Sequence, residues 1–181
     1  MIDRSEALAL VEAQVKNRNL VKHMVAVEAV MRGLARRLGA EEELWGLTGL
    51  LHDLDYSLTM DNPARHARMG CEMLEGKLPP EALHAILAHP EHVPPESRFD
   101  WALYCADPVT GLVVAAALMH PSKKLAGVDL EFLKRRFQGK RFAAGANREQ
   151  IQQCSRLGLE LDEFLNLALT AMQGAADELG L

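Results

Sequence analysis

This chain of 181 residues lacks the usual marks of disulfide chemistry, secretion and membrane insertion. Its three cysteines, Cys71, Cys105 and Cys154, are odd in number, far apart and without CxxC spacing, which excludes a disulfide framework and predicts reduced thiols in a cytoplasmic protein. The start, Met1-Ile2-Asp3-Arg4-Ser5-Glu6, has no apolar segment behind a basic one, so no secretory signal is expected. The longest nearly uncharged apolar run, Pro108 to Met119, falls short of the roughly 20 residues a membrane span needs, so no membrane partner is expected. There is no excess of positive charge: 20 Lys and Arg against 25 Asp and Glu give a net charge of −5 and a pI near 5.8. General nucleic-acid binding through global charge is therefore not expected, although a local basic patch is compatible with these totals. Strand-like alternation, internal repeats, low-complexity tracts and linkers are also missing.

What is present is an ordinary globular balance, 49% apolar and 25% charged, in a chain long enough to bury roughly 70% of its unfolded surface. One domain over residues 1–181 is expected, with all-α architecture, a helical bundle. Asp3 and Glu6 are spaced as a capping box for a helix to about Lys16. Asn19 is placed to cap a second helix, in which Leu20, Met24, Val27, Met31, Leu34 and Leu38 recur at steps of four and three, and Gly39 ends it. A third helix is predicted from about Glu41 to Leu54. Asn62-Pro63 opens a fourth that ends near Glu75-Gly76, and Pro79-Pro80 opens a fifth. Three prolines make the stretch from Pro90 to Arg98 a loop. A long sixth helix is predicted over Asp100 to Leu118, interrupted by Pro108, which cannot donate to the Tyr104 carbonyl. Further helices are expected at Asp129 to Phe137, Asn147 to Leu157 with an Asn147/Gln150 capping box, and Asp162 to Leu179.

All seven histidines lie between His23 and His120. His23 shares the apolar stripe of the second helix, and His52-Asp53 follows Leu47, Gly49 and Leu51 at the end of the third. His66 precedes Met69 by three, His89 follows Ile86 by three, and Asp107 is four after Leu103 on an inward face. A hydrogen-bonded core histidine would explain His23 alone, and an internal cap beside Pro108 would explain Asp107 alone. As a set, ionisable groups on the core faces of five helices need partners, because an unpaired buried charge costs several kcal/mol. A metal ion supplies one partner for all of them. Imidazole with carboxylate suits Fe, Mn, Co, Ni or Zn better than Ca.

The order His23, then His52-Asp53, then Asp107 resembles the H…HD…D pattern of the HD-domain superfamily of metal-dependent phosphohydrolases. Gly49-Leu50-Leu51 before the HD pair and Ala106 before Asp107 look like that family's flanks, and the likeness runs from about Leu20 to Val114. His66-Ala67-Arg68-Met69-Gly70 and Ala85-Ile86-Leu87-Ala88-His89 resemble the extra histidine segments of members with two metals. That resemblance implies one or two divalent or transition ions per chain, Fe, Mn, Co, Ni, Zn or Mg, held by His23, His52, Asp53, His66, His89 and Asp107, with Asp53 bridging. His89-Pro90 and the lack of a GYP triplet set the chain apart from the cyclic-di-GMP members. Where many relatives carry a lysine soon after the HD pair, this chain has Leu54-Asp55-Tyr56. Asp55 either orients a ligand histidine through its other ring nitrogen or is a solvent-facing turn residue.

The reaction implied is hydrolysis of a nucleotide or other small phosphate ester through a metal-activated water, with Asp53, His66 and His89 in catalytic positions. The basic stretch Lys123 to Arg141 is read either as a solvated face or as the source of a phosphate contact from Lys140 or Arg141. A metal-retaining nucleotide sensor without turnover and a di-iron oxygenase are the alternatives. His84 is expected on the surface or behind a ligand, His92 in a loop or as a mobile general acid, and His120 at a helix end needing no metal.

Overall fold

The computed structural model describes residues 1–139 and 141–181, and helices make up all of its regular structure among those residues. The first, α1 (Arg4–Gln14), opens with the expected capping box: Asp3 Oδ1 accepts from Glu6 N at 2.8 Å and Glu6 Oε2 from Asp3 N at 2.9 Å. Helix α2 (Arg18–Leu38) begins one residue before Asn19, because it is Asn17 that stays extended and accepts from Asn19 N at 2.9 Å. Gly39 closes it with φ 66°, the left-handed conformation glycine adopts without a Cβ penalty. Helix α3 (Glu42–Leu51) stops at His52 rather than continuing to Leu54.

A single turn not anticipated in the sequence, α4 (Tyr56–Thr59), precedes the expected fourth helix, which is itself broken into a 3-10 turn at Pro63–Arg65 and α5 (Arg68–Leu74). The break lies at Ala67, whose φ of 62° no α-helix accommodates. Helix α6 (Pro80–Ala88) starts at the second proline. Helix α7 (Arg98–Met119) starts two residues earlier than expected, on a Ser97/Asp100 capping box, and passes through Pro108 as one helix. The remainder is α8 (Leu130–Gln138), capped by Asp129; α9 (Arg148–Gln152), capped by Asn147 and continued by a 3-10 stretch at Gln153–Leu157; α10 (Leu161–Gly174); and α11 (Ala176–Leu179). The last two replace a single expected helix.

Helices α2, α3 and α7 form the centre. Met24, Val27, Met31 and Leu34 of α2 are fully buried, each contributing about 1.5–3 kcal/mol through removal of apolar surface from water. Against that stripe α3 lies unusually close: a Cβ at Gly49 would stand 3.0 Å from Glu28 N, Val27 C and Met31 Cγ. Only a residue without a side chain permits that approach, and it is this approach that carries His52-Asp53, at the end of α3, onto the face of α2 that holds His23. Helix α7 is long and apolar enough, at mean hydropathy 1.7, to cross a membrane by length and composition, contrary to the expectation from its uncharged part alone. Its most apolar stretch is 61% buried within the bundle, as a central helix requires.

Candidate metal centre

Five segments of the chain deliver six polar side chains to one place. His23 comes from the second turn of α2, His52 and Asp53 from the end of α3, and His66 from the chain just before the Ala67 break. His89 caps α6 and Asp107 lies midway along α7. The left-handed Ala67 turns the chain inward at His66; a continuous helix from Pro63 would have carried that ring along a different course.

Each imidazole has one nitrogen committed to an acceptor in the protein. His52 Nδ1 donates to the Gly49 carbonyl at 2.8 Å, and His89 Nδ1 to the Ile86 carbonyl at 2.6 Å. His66 Nδ1 donates to Asp55 Oδ1 at 2.9 Å, and Asp55 is itself fixed by Gly70 N on its other oxygen at 2.8 Å. Thr110 donates its hydroxyl proton to the Asp107 carbonyl at 2.8 Å, leaving its oxygen to accept from His23 Nδ1 at 3.1 Å. A carbonyl or carboxylate can only accept, so the tautomers follow: the Nε2 lone pairs of these rings all point inward.

What they point at is two carboxylates and one another. Asp53 Oδ1 is 3.5 Å from His52 Nε2, 3.4 Å from His66 Nε2 and 3.6 Å from His89 Nε2, while its Oδ2 is 3.6 Å from His23 Nε2. Asp107 Oδ1 is 3.1 Å from His23 Nε2 and 3.9 Å from His52 Nε2. His66 Nε2 and His89 Nε2 face each other at 3.2 Å, and His52 Nε2 is buried with no hydrogen-bond partner. Lone pairs set against lone pairs and against carboxylates, beside a buried orphaned nitrogen, lack a positive charge at their centre. A metal ion fits that requirement. The ligand atoms of His23, His52 and Asp107 lie within 4.8 Å of one another, and so do those of His52, Asp53 and His89.

The electrostatics follow from burial and these neighbours. Burial pushes His52 down to about 4, keeping it neutral. Burial works against ionisation of Asp53 as well, but the surrounding His52, His89 and His23 outweigh it and hold the carboxyl far below its ordinary range. Against burial, the Asp107 hydrogen bond raises His23 and the Asp55 hydrogen bond raises His66.

The cluster forms one wall of an open pocket of about 450 Å³, completed by Leu20, Tyr56, Pro90 and Gln150. Tyr56 and Gln150 were not anticipated as site residues; Tyr56 meets the His66 ring edge-on at 5.3 Å. No Lys or Arg lines the pocket among the described residues. Arg141 is exposed and does not line it, and Lys140 lies outside the described residues. Asp55 is fully buried on His66, not in solvent. His92 donates from Nε2 to the His66 carbonyl at 2.8 Å, so it fastens the backbone of that histidine. His84 pairs with Asp100 at 3.1 Å, and His120 bonds Ser122 at 2.8 Å; neither faces the centre.

Residues 20–118 match the family model of the HD domain, more than half of the chain. The chain is 31% identical to ribonuclease Y of Oleidesulfovibrio alaskensis over 142 residues, which are 74% of this chain and 26% of that protein. It is 33% identical to ribonuclease Y of Sulfurovum sp. over 90 residues, 49% of this chain and 18% of the relative. Ribonuclease Y of Nitratidesulfovibrio vulgaris shows 30% identity over 142 residues, again 74% and 26%. The chain thus spans at most about a quarter of the length of these relatives. No solved structure gives a significant match. His23, His52-Asp53 and Asp107 fall in order inside the matched region and meet at one centre, and the chain belongs to the HD domain family.

Proposed function

We propose that this chain is a metal-dependent phosphohydrolase that acts on a nucleotide or other small phosphate ester. The observation that carries the reading is the set of inward Nε2 atoms around Asp53 and Asp107, each ring fixed by its other nitrogen. His23, His52, Asp53 and Asp107 would hold one ion, and His66 and His89, with Asp53 shared, a second. Asp53 stands within 3.6 Å of Nε2 atoms from both sets of histidines, His23 and His52 on one hand and His66 and His89 on the other, which suits a shared ligand. Bound there, divalent ions acidify a water and neutralise charge on phosphoryl oxygens. The chain's own part is orientation. Asp55 holds the His66 ring, the Gly49 and Ile86 carbonyls hold His52 and His89, and the open pocket leaves one side for the ester. Asp107, with its side chain 32% exposed, is the carboxylate nearest solvent for carrying a proton away from the centre.

A second reading, cleavage of an RNA phosphodiester, is favoured by the name ribonuclease Y that the similar proteins carry. The test is a panel of nucleoside monophosphates, dinucleotides and a single-stranded oligoribonucleotide, with Mn, Fe, Co, Ni, Zn and Mg and with chelator. The expected result is hydrolysis of a small ester that chelator abolishes and added metal restores. Preferential cutting of the oligoribonucleotide would move the reading to RNA, and no product with any metal would overturn both.

A further inference from the structure

Of the residues that complete the wall of the metal pocket, Gln150 is the one with a side-chain amide, and that amide is held from behind. Tyr104 of α7, a buried residue, donates its hydroxyl proton to Glu91 Oε1 at 2.5 Å. A carboxylate can only accept, so that proton is committed and the phenolic oxygen keeps only its acceptor side. Burial and Glu91 push the Tyr104 hydroxyl up to about 12, and a hydrogen bond from the Gln150 side chain works against them. Among hydrogen bonds, only one donated to the phenolic oxygen has that effect, so Gln150 turns its amide NH2 to Tyr104. The other end of the amide, Oε1, is left for the pocket.

Glu91 is unusual in its own right. It follows His89-Pro90 at the end of α6, where Glu91 N donates to the Ala88 carbonyl at 3.0 Å and His92 N to the Leu87 carbonyl at 3.2 Å. This paired closure of a helix sets the first of its two donors in the left-handed conformation, which glycine adopts without a Cβ penalty. Here that donor is a glutamate, with φ 64° and an exposed side chain. Closing the helix does not call for a carboxylate. The side chain that a glycine would lack is the one that holds Tyr104.

We propose that Gln150 accepts a hydrogen bond from a hydroxyl of the substrate, with Tyr104 and Glu91 as its positioning residues. The inference rests on the phosphohydrolase reading and narrows it to esters that carry a free hydroxyl within reach of the phosphate. A carbonyl oxygen takes only a donor, so it offers nothing to a phosphoryl oxygen, and the divalent ions of that reading repel an ammonium donor. A neutral hydroxyl meets both conditions. An ester without one leaves the oriented carbonyl unpaired, which is the origin of the discrimination.

The test uses the metal-loaded protein and phosphonates, whose P–C bond is not hydrolysed: the ω-hydroxylated forms of ethyl-, propyl- and butylphosphonate, each titrated by calorimetry beside its parent without the hydroxyl. At least one hydroxylated member should bind about tenfold more tightly than its parent. In Gln150→Met, of similar length but without the amide, that preference should disappear, with metal content unchanged. In Glu91→Gly the preference should also fall while the thermal midpoint is equal or higher, because glycine relieves the left-handed position. A merely structural Glu91 would do the opposite, lowering the midpoint and leaving the preference. If no hydroxylated phosphonate binds better than its parent, or if either variant keeps the preference, the proposal is overturned. Phosphate-ester hydrolysis with no hydroxyl preference in binding would remove this inference and keep the phosphohydrolase; a hydroxyl preference without hydrolysis of any ester would do the reverse.

Discussion

His52 is the residue on which the electrical balance of the centre turns. Fully buried and held down to about 4, it binds a proton less readily folded than unfolded, where about 6.5 is usual. A depressed histidine contributes stability that is complete above the unfolded value and is lost as pH falls from about 6.5 towards 4, by about 3 kcal/mol in all. His23 and His66, raised by Asp107 and Asp55, work in the opposite direction, and their contribution is lost as pH rises through their folded values. The prediction is therefore a difference. In chelator-treated protein, the urea midpoint should fall more steeply between pH 6.5 and 4 for the parent chain than for His52→Asn. On the proposal that His66 and His89 hold a second ion, His66→Ala or His89→Ala should lower the metal count by about one while His23, His52 and Asp107 keep the first. Metal analysis of the purified variants reads this directly, and a full count in both would reduce the centre to the four ligands His23, His52, Asp53 and Asp107.

At the scale of helices, the contact of α2 with α3 fixes the HD pair, and Gly49 makes it possible. Gly49→Val should destabilise by about 1–3 kcal/mol through overpacking, measured by denaturant unfolding, and should weaken metal binding because His52-Asp53 is displaced from His23. Most of the candidate ligands were legible in the sequence because His23, His89 and Asp107 share the apolar registers of their helices, and a charged group in a core stripe asks for a partner; the helical register read for His66 is not kept, since the Ala67 break separates it from Met69. Helix edges were less legible. Asn17 and Asn19 are chemically alike as caps, and nothing local distinguishes them. Ala67 was hidden for a different reason: alanine favours helices, and only the hold of Asp55 and His92 on His66 and of Asp55 on Gly70 imposes its left-handed turn. Tyr56 and Gln150 gave no periodic signal, since neither belongs to a long amphipathic helix.

Across the whole molecule, one polar arrangement besides the centre lies in the segment leading to α9. There Arg148 donates to the carbonyls of Phe137, Ala143, Ala146, Arg136, Gly139 and Phe142, gathering a glycine- and alanine-rich turn around one guanidinium. Arg148→Met should raise amide hydrogen exchange at residues 141–147 while α2 and α7 stay protected, because the substitution removes the donors and leaves the bundle intact. The metal centre has a wider reach. Its candidate ligands come from segments spread between residue 23 and residue 107, so an ion held by them closes the intervening chain into coordinated loops. Coordination then acts as a removable cross-link, and the entropy it withholds from the unfolded chain depends on metal concentration in the surroundings. At one hundred times its dissociation constant such an ion adds about 2.7 kcal/mol to folding, so a cell that sequesters metal would loosen the protein itself and open the Ala67 segment to proteases.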